Sequence, residues 1–318
     1  MAVFKTYAAV GEREDLQDVI YSISPTDTPF LNSIGQGKAT SVLHEWQTDS
    51  LAAVNMANAA VEGADASTAT LSATSRVNNH CQILEKTIQI SRTLETADKA
   101  GRGSELAYQQ AKASKEVKRD MEAILLSNQI ASAGATAQAR HLGGIQTWID
   151  TNGSFASAGS TSGADGTTAR PSGTARTFTE TLLKDVVQQV YTAGGDPNIL
   201  MVTPSHKQTV SAFSGIAAQR YMAPSDQPTT IIGAADIYMS DFGQISVVPN
   251  RFMLQANSAD EVALVLDPEY LEVAYFREFG INDLAVAGDQ SAKQQLVCEA
   301  TLAVLNEGAQ GIVSDLTP

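Results

Sequence analysis

With four histidines and two cysteines in 318 residues, the chain has few side chains suited to nucleophilic or metal chemistry, and their spacing argues against both. His80 and Cys81 are adjacent, and neighbours on a strand point to opposite faces, so they do not share a metal ion. They read instead as a buried cysteine beside a hydrogen-bonded histidine. His44-Glu45 lacks the second histidine of a zinc-binding helix. Ser205-His206 falls at a helix start and first turn, with no acid at a helpful spacing. Gly35-Gln-Gly-Lys-Ala-Thr40 matches a phosphate loop only in part, because that motif needs glycine where Asn32 stands and serine or threonine where Ala39 stands. Gly159-Ser-Thr-Ser-Gly163 centres on Thr161 and has no strand–turn–helix around it, so it is not a nucleophile elbow. The acids Asp260-Glu261 and Glu12, Glu14 and Asp15 read as solvated faces, and Trp46 as an interface anchor rather than a ligand-binding ring. No polar cluster converges. No catalytic, cofactor-binding or metal-binding residue is assigned, no cofactor is implied, and the chain reads as a non-enzyme.

The elements that position these residues are organised around residues 104–132, a stretch without proline or glycine. Leu106, Ala113, Val117, Met121, Ile124, Leu125 and Asn128 recur at steps of three and four, which places them on one face of a helix. Lys112, Lys115, Glu116, Lys118, Arg119 and Glu122 cover the remainder. Ser104 is the expected N-cap and Gly134 the expected left-handed stop, giving a spine of roughly 40 Å. Its narrow apolar stripe suits a helix lying along a sheet, and the strand around Leu296 to Val304 is its expected partner.

Charged residues make up 18% and aromatics 6% of the chain, and the net charge is −14. Residues 1–150 hold 13 basic and 17 acidic side chains, and residues 151–318 hold 8 and 18. Without clustered lysine and arginine, sequence-specific nucleic-acid binding is disfavoured. Cys81 and Cys298 form no metal or redox motif, so a reducing cytosol is expected. No window approaches the roughly 20 apolar residues of a membrane helix, and Met1 to Lys5 opens no classical signal.

Residues 1–35 read as an arm: a short helix over Glu12 to Ile20, two prolines at Pro25 and Pro29 that extend the chain, then Phe30-Leu31 as an apolar anchor. Residues 42–51 alternate as a strand, and 83–92, with Leu84, Ile88 and Ile90 on one face, read as its returning partner. Between them, Ala52 to Ser75 offers only Val54, Met56, Val61 and Leu71 as larger apolar side chains, too few to fold alone. Such a hairpin makes sense lying on another subunit, with Trp46 anchoring its base. Of the 27 residues in 151–177, 23 are Thr, Asn, Gly, Ser, Ala or Pro, which predicts a flexible, exposed and dispensable insert. An α/β unit follows: a helix capped by Thr179 with Leu182, Leu183, Val186, Val187 and Val190 inward, a stop at Gly194-Gly195, a strand at 198–203 and a helix from Pro204. Strands are expected within 231–254, at 262–266, 271–276 and, for about ten residues, around 296–304.

Glu12-Arg-Glu-Asp-Leu-Gln-Asp-Val-Ile20, Ser24-Pro-Thr-Asp-Thr-Pro-Phe-Leu31, Gly37-Lys-Ala-Thr40 and His44-Glu-Trp-Gln-Thr-Asp-Ser-Leu51 resemble the start of tailed-bacteriophage major capsid proteins, in the branch of SU-ten-type head proteins. Leu271-Glu-Val-Ala-Tyr-Phe-Arg-Glu-Phe279 and the run Gly288 to Leu302 resemble that family's closing strands. The resemblance implies an α+β chain of the Hong Kong 97-type capsid fold. Its parts would be an N-terminal arm (1–39), an extended loop (40–93), a peripheral domain with the spine and insert (94–177), an axial domain (178–266), and strands returning to the peripheral domain followed by the C-terminus (267–318). The implied function is self-assembly into the icosahedral head of a tailed phage around double-stranded DNA. Hexameric and pentameric capsomers, a separate scaffold, a portal and decoration proteins are the implied partners, with no membrane. The place is the virion, after assembly in the bacterial cytoplasm. Phe30, Leu31, Trp46, Val54, Met56, Val61 and Leu71 are the expected inter-subunit contacts. An encapsulin-like compartment subunit is the alternative within the fold, and a monomeric ligand-binding α+β protein the alternative outside it.

Overall fold

The computed structural model describes residues 25–317 apart from 64, 66–70, 72, 100, 102, 214–235, 254–260, 287 and 289. The expected helix at 12–20 and the pair Ile231-Ile232 lie outside the described residues. In chain order the elements are α1 (Pro29–Ser33), β1 (Gly35–Lys38), β2 (Leu43–Thr48), β3 (Ser75–His80), β4 (Gln82–Ser91), α2 (Arg92–Thr96) and the spine α3 (Glu105–Leu125). Then follow β5 (Gly153–Ser154), α4 (Glu180–Ala193), β6 (Ile199–Val202), α5 (Pro204–Ser211), β7 (Ile237–Ser240) and β8 (Gly243–Pro249). The chain continues through β9 (Glu261–Leu266), β10 (Leu271–Leu284), β11 (Ser291–Val304) and β12 (Gly311–Leu316).

The spine starts as its sequence requires. Ser104 Oγ accepts the Ala107 amide at 3.2 Å, and the Glu95 carboxylate takes the free amides of Glu105 and Leu106. Ala113, Val117, Met121 and Leu125 are buried against Leu84 of β4 and Leu296, Cys298 and Ala300 of β11. The helix ends earlier than expected, at Leu125, and is about 31 Å long. Asn128 turns the chain away by exchanging two 2.8 Å hydrogen bonds with the backbone of Arg170. Gly144 passes so close to the helix end that a Cβ there would meet the Ser127 carbonyl. Gly134, with φ +71, belongs to a separate tight turn over Ala135–Gln138.

Beneath the spine lies a four-stranded sheet in the order β1-β10-β11-β4, with β1 parallel to β10 and the other pairs antiparallel. Here the hairpin expectation is corrected. Residues 83–92 do not return against 42–51; they form β4 and pair with β11, Leu84 opposite Cys298. The partner of β2 is β3, in register from Leu43↔His80 to Thr48↔Ser75. Leu84, Ile88 and Ile90 give β4 an apolar face that suits a sheet under a helix, whereas β3 has only Val77 to offer.

A six-stranded sheet, β5-β12-β9-β6-β8-β7, carries the second half of the chain. Leu200, Val202, Ala263, Val265 and Val313 point toward α4 and α5, while Met201, Val262, Leu264, Leu266 and Ile312 point into the core beneath α3. Covered on both faces, β9 is therefore buried along its whole length. Helix α4 turns Leu183, Val186, Val187 and Val190 inward and stops at Gly194, whose φ of +100 is the left-handed cap expected there. After residue 267, β10 and β11 run in the four-stranded sheet beneath the spine, and β12 inserts between β5 and β9 of the six-stranded sheet.

Candidate assembly surfaces

The arm is held by one buried carboxylate. Glu122 sits on α3 with no solvent exposure and accepts the amides of Phe30 at 2.7 Å and Leu31 at 2.9 Å. Its Oε1 also accepts Asn250 Nδ2 at 2.7 Å, and Asn250 in turn donates its amide to the Val202 carbonyl. Arm, spine and six-stranded sheet thus meet at a single side chain. Burial raises the Glu122 pKa, and the three donors offset part of that rise. This corrects two expectations. Glu122 is not on the solvated face of the helix, and Phe30 is enclosed in the core of its own chain rather than offered to a neighbour. Leu31 is half-buried against the same core.

Trp46, expected as an interface anchor, packs on Trp148 within its own chain, ring centroids 5.5 Å apart. Asn79, opposite His44 in the ribbon, donates to the carbonyls of Gly143 and Leu302 and accepts the Gly143 amide. The base of the ribbon is therefore fixed to the core. Residues 49–74 beyond it form no strand among those described, and Val54, Met56, Val61 and Leu71 are exposed there. Leu51, which the spacing does not single out, is 99% exposed beside them.

The insert is anchored rather than free. Asp315 on β12 holds a left-handed backbone with φ +58, uncommon for a residue other than glycine. Its carboxylate accepts the amides of Ala156 at 3.0 Å and Gly173 at 2.8 Å, the Ser314 hydroxyl at 2.8 Å, and Arg170 Nη1 at 3.0 Å. Arg170 and Asp315 are both buried. Burial opposes the charge, but these donors prevail and hold the Asp315 pKa below its ordinary range. β5, inside the insert, pairs with β12. Low complexity thus conceals a stretch built into the six-stranded sheet, and dispensability is withdrawn.

The residues with chemical potential sit in structural settings. Ser205-His206 does meet an acid: Glu261, far away in sequence and buried rather than solvated, lies 3.0 Å from His206 Nε2, off the line a hydrogen bond requires. Glu261 Oε2 also accepts Ser205 Oγ at 2.9 Å and Thr203 Oγ1 at 2.5 Å. Because serine bonds the acid and not the imidazole, the serine–histidine–acid order of a nucleophile is missing. Burial pushes the thiols of Cys81 and Cys298 up to about 11 and about 12, and lowers the pKa of His80, with Arg140 adding to that effect. Gly35–Lys38 is a strand paired with β10, not a loop around a phosphate. Among the described residues no group of three or more His, Cys, Asp or Glu is placed to hold a metal ion, and no helix is long and apolar enough to cross a membrane.

A spine helix on a four-stranded sheet, a second sheet layered with helices, a clamped arm and a ribbon with bare apolar side chains make up a fold of the Hong Kong 97 type. The Cyanophage A-1(L) capsid chain has this fold, with a TM-score of 0.69 at 11% identity over 99% of each chain. The SrpI encapsulin of Synechococcus elongatus PCC 7942 shares it at a TM-score of 0.54 and 10% identity, over 99% of this chain and 96% of that one. At such identities the likeness speaks for the fold alone. Residues 3–317 match the model of the SU10 major capsid protein family, and the chain belongs to that family. The major capsid protein of Escherichia phage Phieco32 is 31% identical over 247 residues, covering 67% of this chain and 69% of that protein. The protein is a structural subunit that forms the capsid shell of a phage.

Proposed function

We propose that the subunit closes an icosahedral head around double-stranded DNA, as hexamers and pentamers, by laying residues 49–74 on an adjacent copy. The observation that carries this reading is the loop: Leu51, Val54, Met56, Val61 and Leu71 are at least 79% exposed, and among the described residues none covers them. An extended segment can supply the roughly 800 Å² per partner of a stable interface without a core. The net charge of −14 suits an inner wall that contains DNA without gripping it. Membership of a capsid family supports mechanical rather than enzymatic work. Assembly takes place in the host cytoplasm with a separate scaffold, a portal and decoration proteins as partners. A compartment enclosing an enzyme is the competing reading, supported by the fold likeness to the encapsulin.

Deleting residues 52–73 tests the proposal, because β2 and β3 remain joined by a short turn. The expected product is a soluble, folded subunit with native circular dichroism that forms no closed shells in negative-stain images. Normal particles from the deletion overturn the reading. Nuclease-resistant DNA inside full-length particles separates a phage head from a protein compartment.

A further inference from the structure

Asn152-Gly153 is the one place in the chain where asparagine precedes glycine. Glycine leaves the following amide unshielded, which opens this step more than any other to attack on the asparagine side chain. The fold calls for both residues. Asn152, 4% exposed, donates its Nδ2 to the carbonyls of Gly308 at 2.7 Å and Gln310 at 3.2 Å. It thereby ties the start of β5 to the turn Glu307–Ala309, whose Glu307 carboxylate also accepts the amides of Asp150 and Thr151. A Cβ at 153 would overlap the Phe155 ring, so glycine leaves room for that half-buried side chain.

In the folded chain the pair is locked. Ile312 on β12 donates its amide to the Asn152 carbonyl at 3.0 Å, which fixes the peptide that would have to rotate. The Nδ2 that would have to leave is the atom held by two carbonyls. Both restraints come from residues 308–312, so neither exists until β12 has paired with β5.

We propose that Asn152 is a deamidation site of the unfolded chain, closed by the pairing of β5 with β12, and that a chain which has reacted there is barred from the finished sheet. The Gly153 amide nitrogen bonds to Cγ of Asn152 and closes a succinimide ring. The Cγ–Nδ2 bond breaks, and Nδ2 leaves as ammonia with the proton released by the Gly153 amide. Water then opens the ring at one carbonyl or the other, leaving aspartate or isoaspartate, and nothing is oxidised or reduced. Aspartate replaces the donor with a carboxylate facing the Gly308 and Gln310 carbonyls, a buried acceptor against two acceptors. Isoaspartate carries the chain through Cβ, which lengthens the backbone and shifts β5 against β12. A subunit left unfolded long enough to react is thus removed from the pool that builds shells.

Two measurements test it. The full-length protein is kept either folded or in urea at the same mildly alkaline pH and then digested with trypsin. The peptide from His141 to Arg176 holds Asn152 as its only asparagine, so the mass gained on exchange of ammonia for water reports this site. The reaction is expected to be about tenfold slower or more in the folded protein. Equal rates overturn the lock. The urea-aged chain is then diluted to refold, and the soluble fraction is expected to be depleted about tenfold in the reacted peptide relative to the precipitate. The same proportion in both fractions overturns the exclusion. Should the wild-type chain fail to refold from urea, Asn152→Asp and Asn152→Ala decide, since both give up the two hydrogen bonds and only the first adds the charge. Asn152→Asp is expected to give less soluble protein, or a lower melting temperature, than Asn152→Ala at neutral pH. An aspartate variant equal to the alanine variant or better overturns the exclusion.

Discussion

The Glu122 carboxylate and the Phe30 amide, 92 residues apart in sequence, meet at 2.7 Å inside the core. Glu122→Ala leaves the amides of Phe30 and Leu31 without an acceptor and the Asn250 side chain with only Met201 Sδ, at about 1–3 kcal/mol for each buried group that loses its partner and less than the sum for all of them. The expected result is a lower melting temperature together with rapid proteolysis of residues 25–38. An arm that stays protected in that variant would remove Glu122 as the latch.

Glu122 also gives stability a direction with pH. Its folded pKa is raised above the ordinary 4.5, so its contribution is complete below that value and is lost as pH rises through the folded pKa. The advantage of wild type over Glu122→Gln is expected to narrow from pH 4.5 toward neutrality in urea melts. A widening gap would contradict it.

Asp315 has the opposite sign. Its folded pKa is depressed below 3.8, so its contribution is present above 3.8 and is lost as pH falls through the lower folded value. Asp315→Ala strands Arg170 as a buried cation and is expected to cost about 3–5 kcal/mol. Replacing residues 157–172 with a short Gly-Ser linker removes the same pair and is expected to lower stability as well. A linker variant that melts like wild type would return the insert to the status of a free loop.

Val117 lies in the seam between α3 and the four-stranded sheet, almost fully buried. Val117→Asp places a charge there without a partner and is expected to cost upward of about 3 kcal/mol. In thermal melts that corresponds to a fall of roughly 4 °C or more. An unchanged melting temperature would show that the stripe is misassigned.

Cys81 and Cys298 are expected to be silent to a thiol reagent at pH 8, because a thiol pushed up to about 11 is about one part in a thousand thiolate at that pH. Both should react fully in denaturant. Prompt labelling of the native subunit would mean that β4 and β11 open readily.

The parts of the fold readable in the sequence are those in which one face repeats. Ala113, Val117, Met121 and Leu125 announce the spine, and Leu183, Val186, Val187 and Val190 announce α4, because each helix has one buried side and one wet side. No period marks Gly311–Leu316: β12 is buried on both faces, and Ser314 and Asp315 within it look like surface residues. Glu122 is read as solvated for the same reason, since its partners Phe30 and Asn250 lie 92 and 128 residues away. The polar run Ser75–His80 hides β3 behind the more apolar β4, which shifts the expected ribbon by one strand. Of the candidate contacts, the exposed loop residues are legible from the lack of anything to bury them. The burial of Phe30 and the packing of Trp46 against Trp148 depend on distant chain and are not.

The placement of β12 between β5 and β9 sets a clock on synthesis. Gly153 pairs with Ile312, so the strand born at residue 153 waits until residue 316 has left the ribosome before its sheet can close. At about 5–20 residues per second, that interval is roughly 8–30 s. During it the spine and its sheet also lack β10 and β11, which lie late in the chain. A nascent subunit therefore has neither completed sheet, and a growing polysome cannot nucleate a shell on half-made chains.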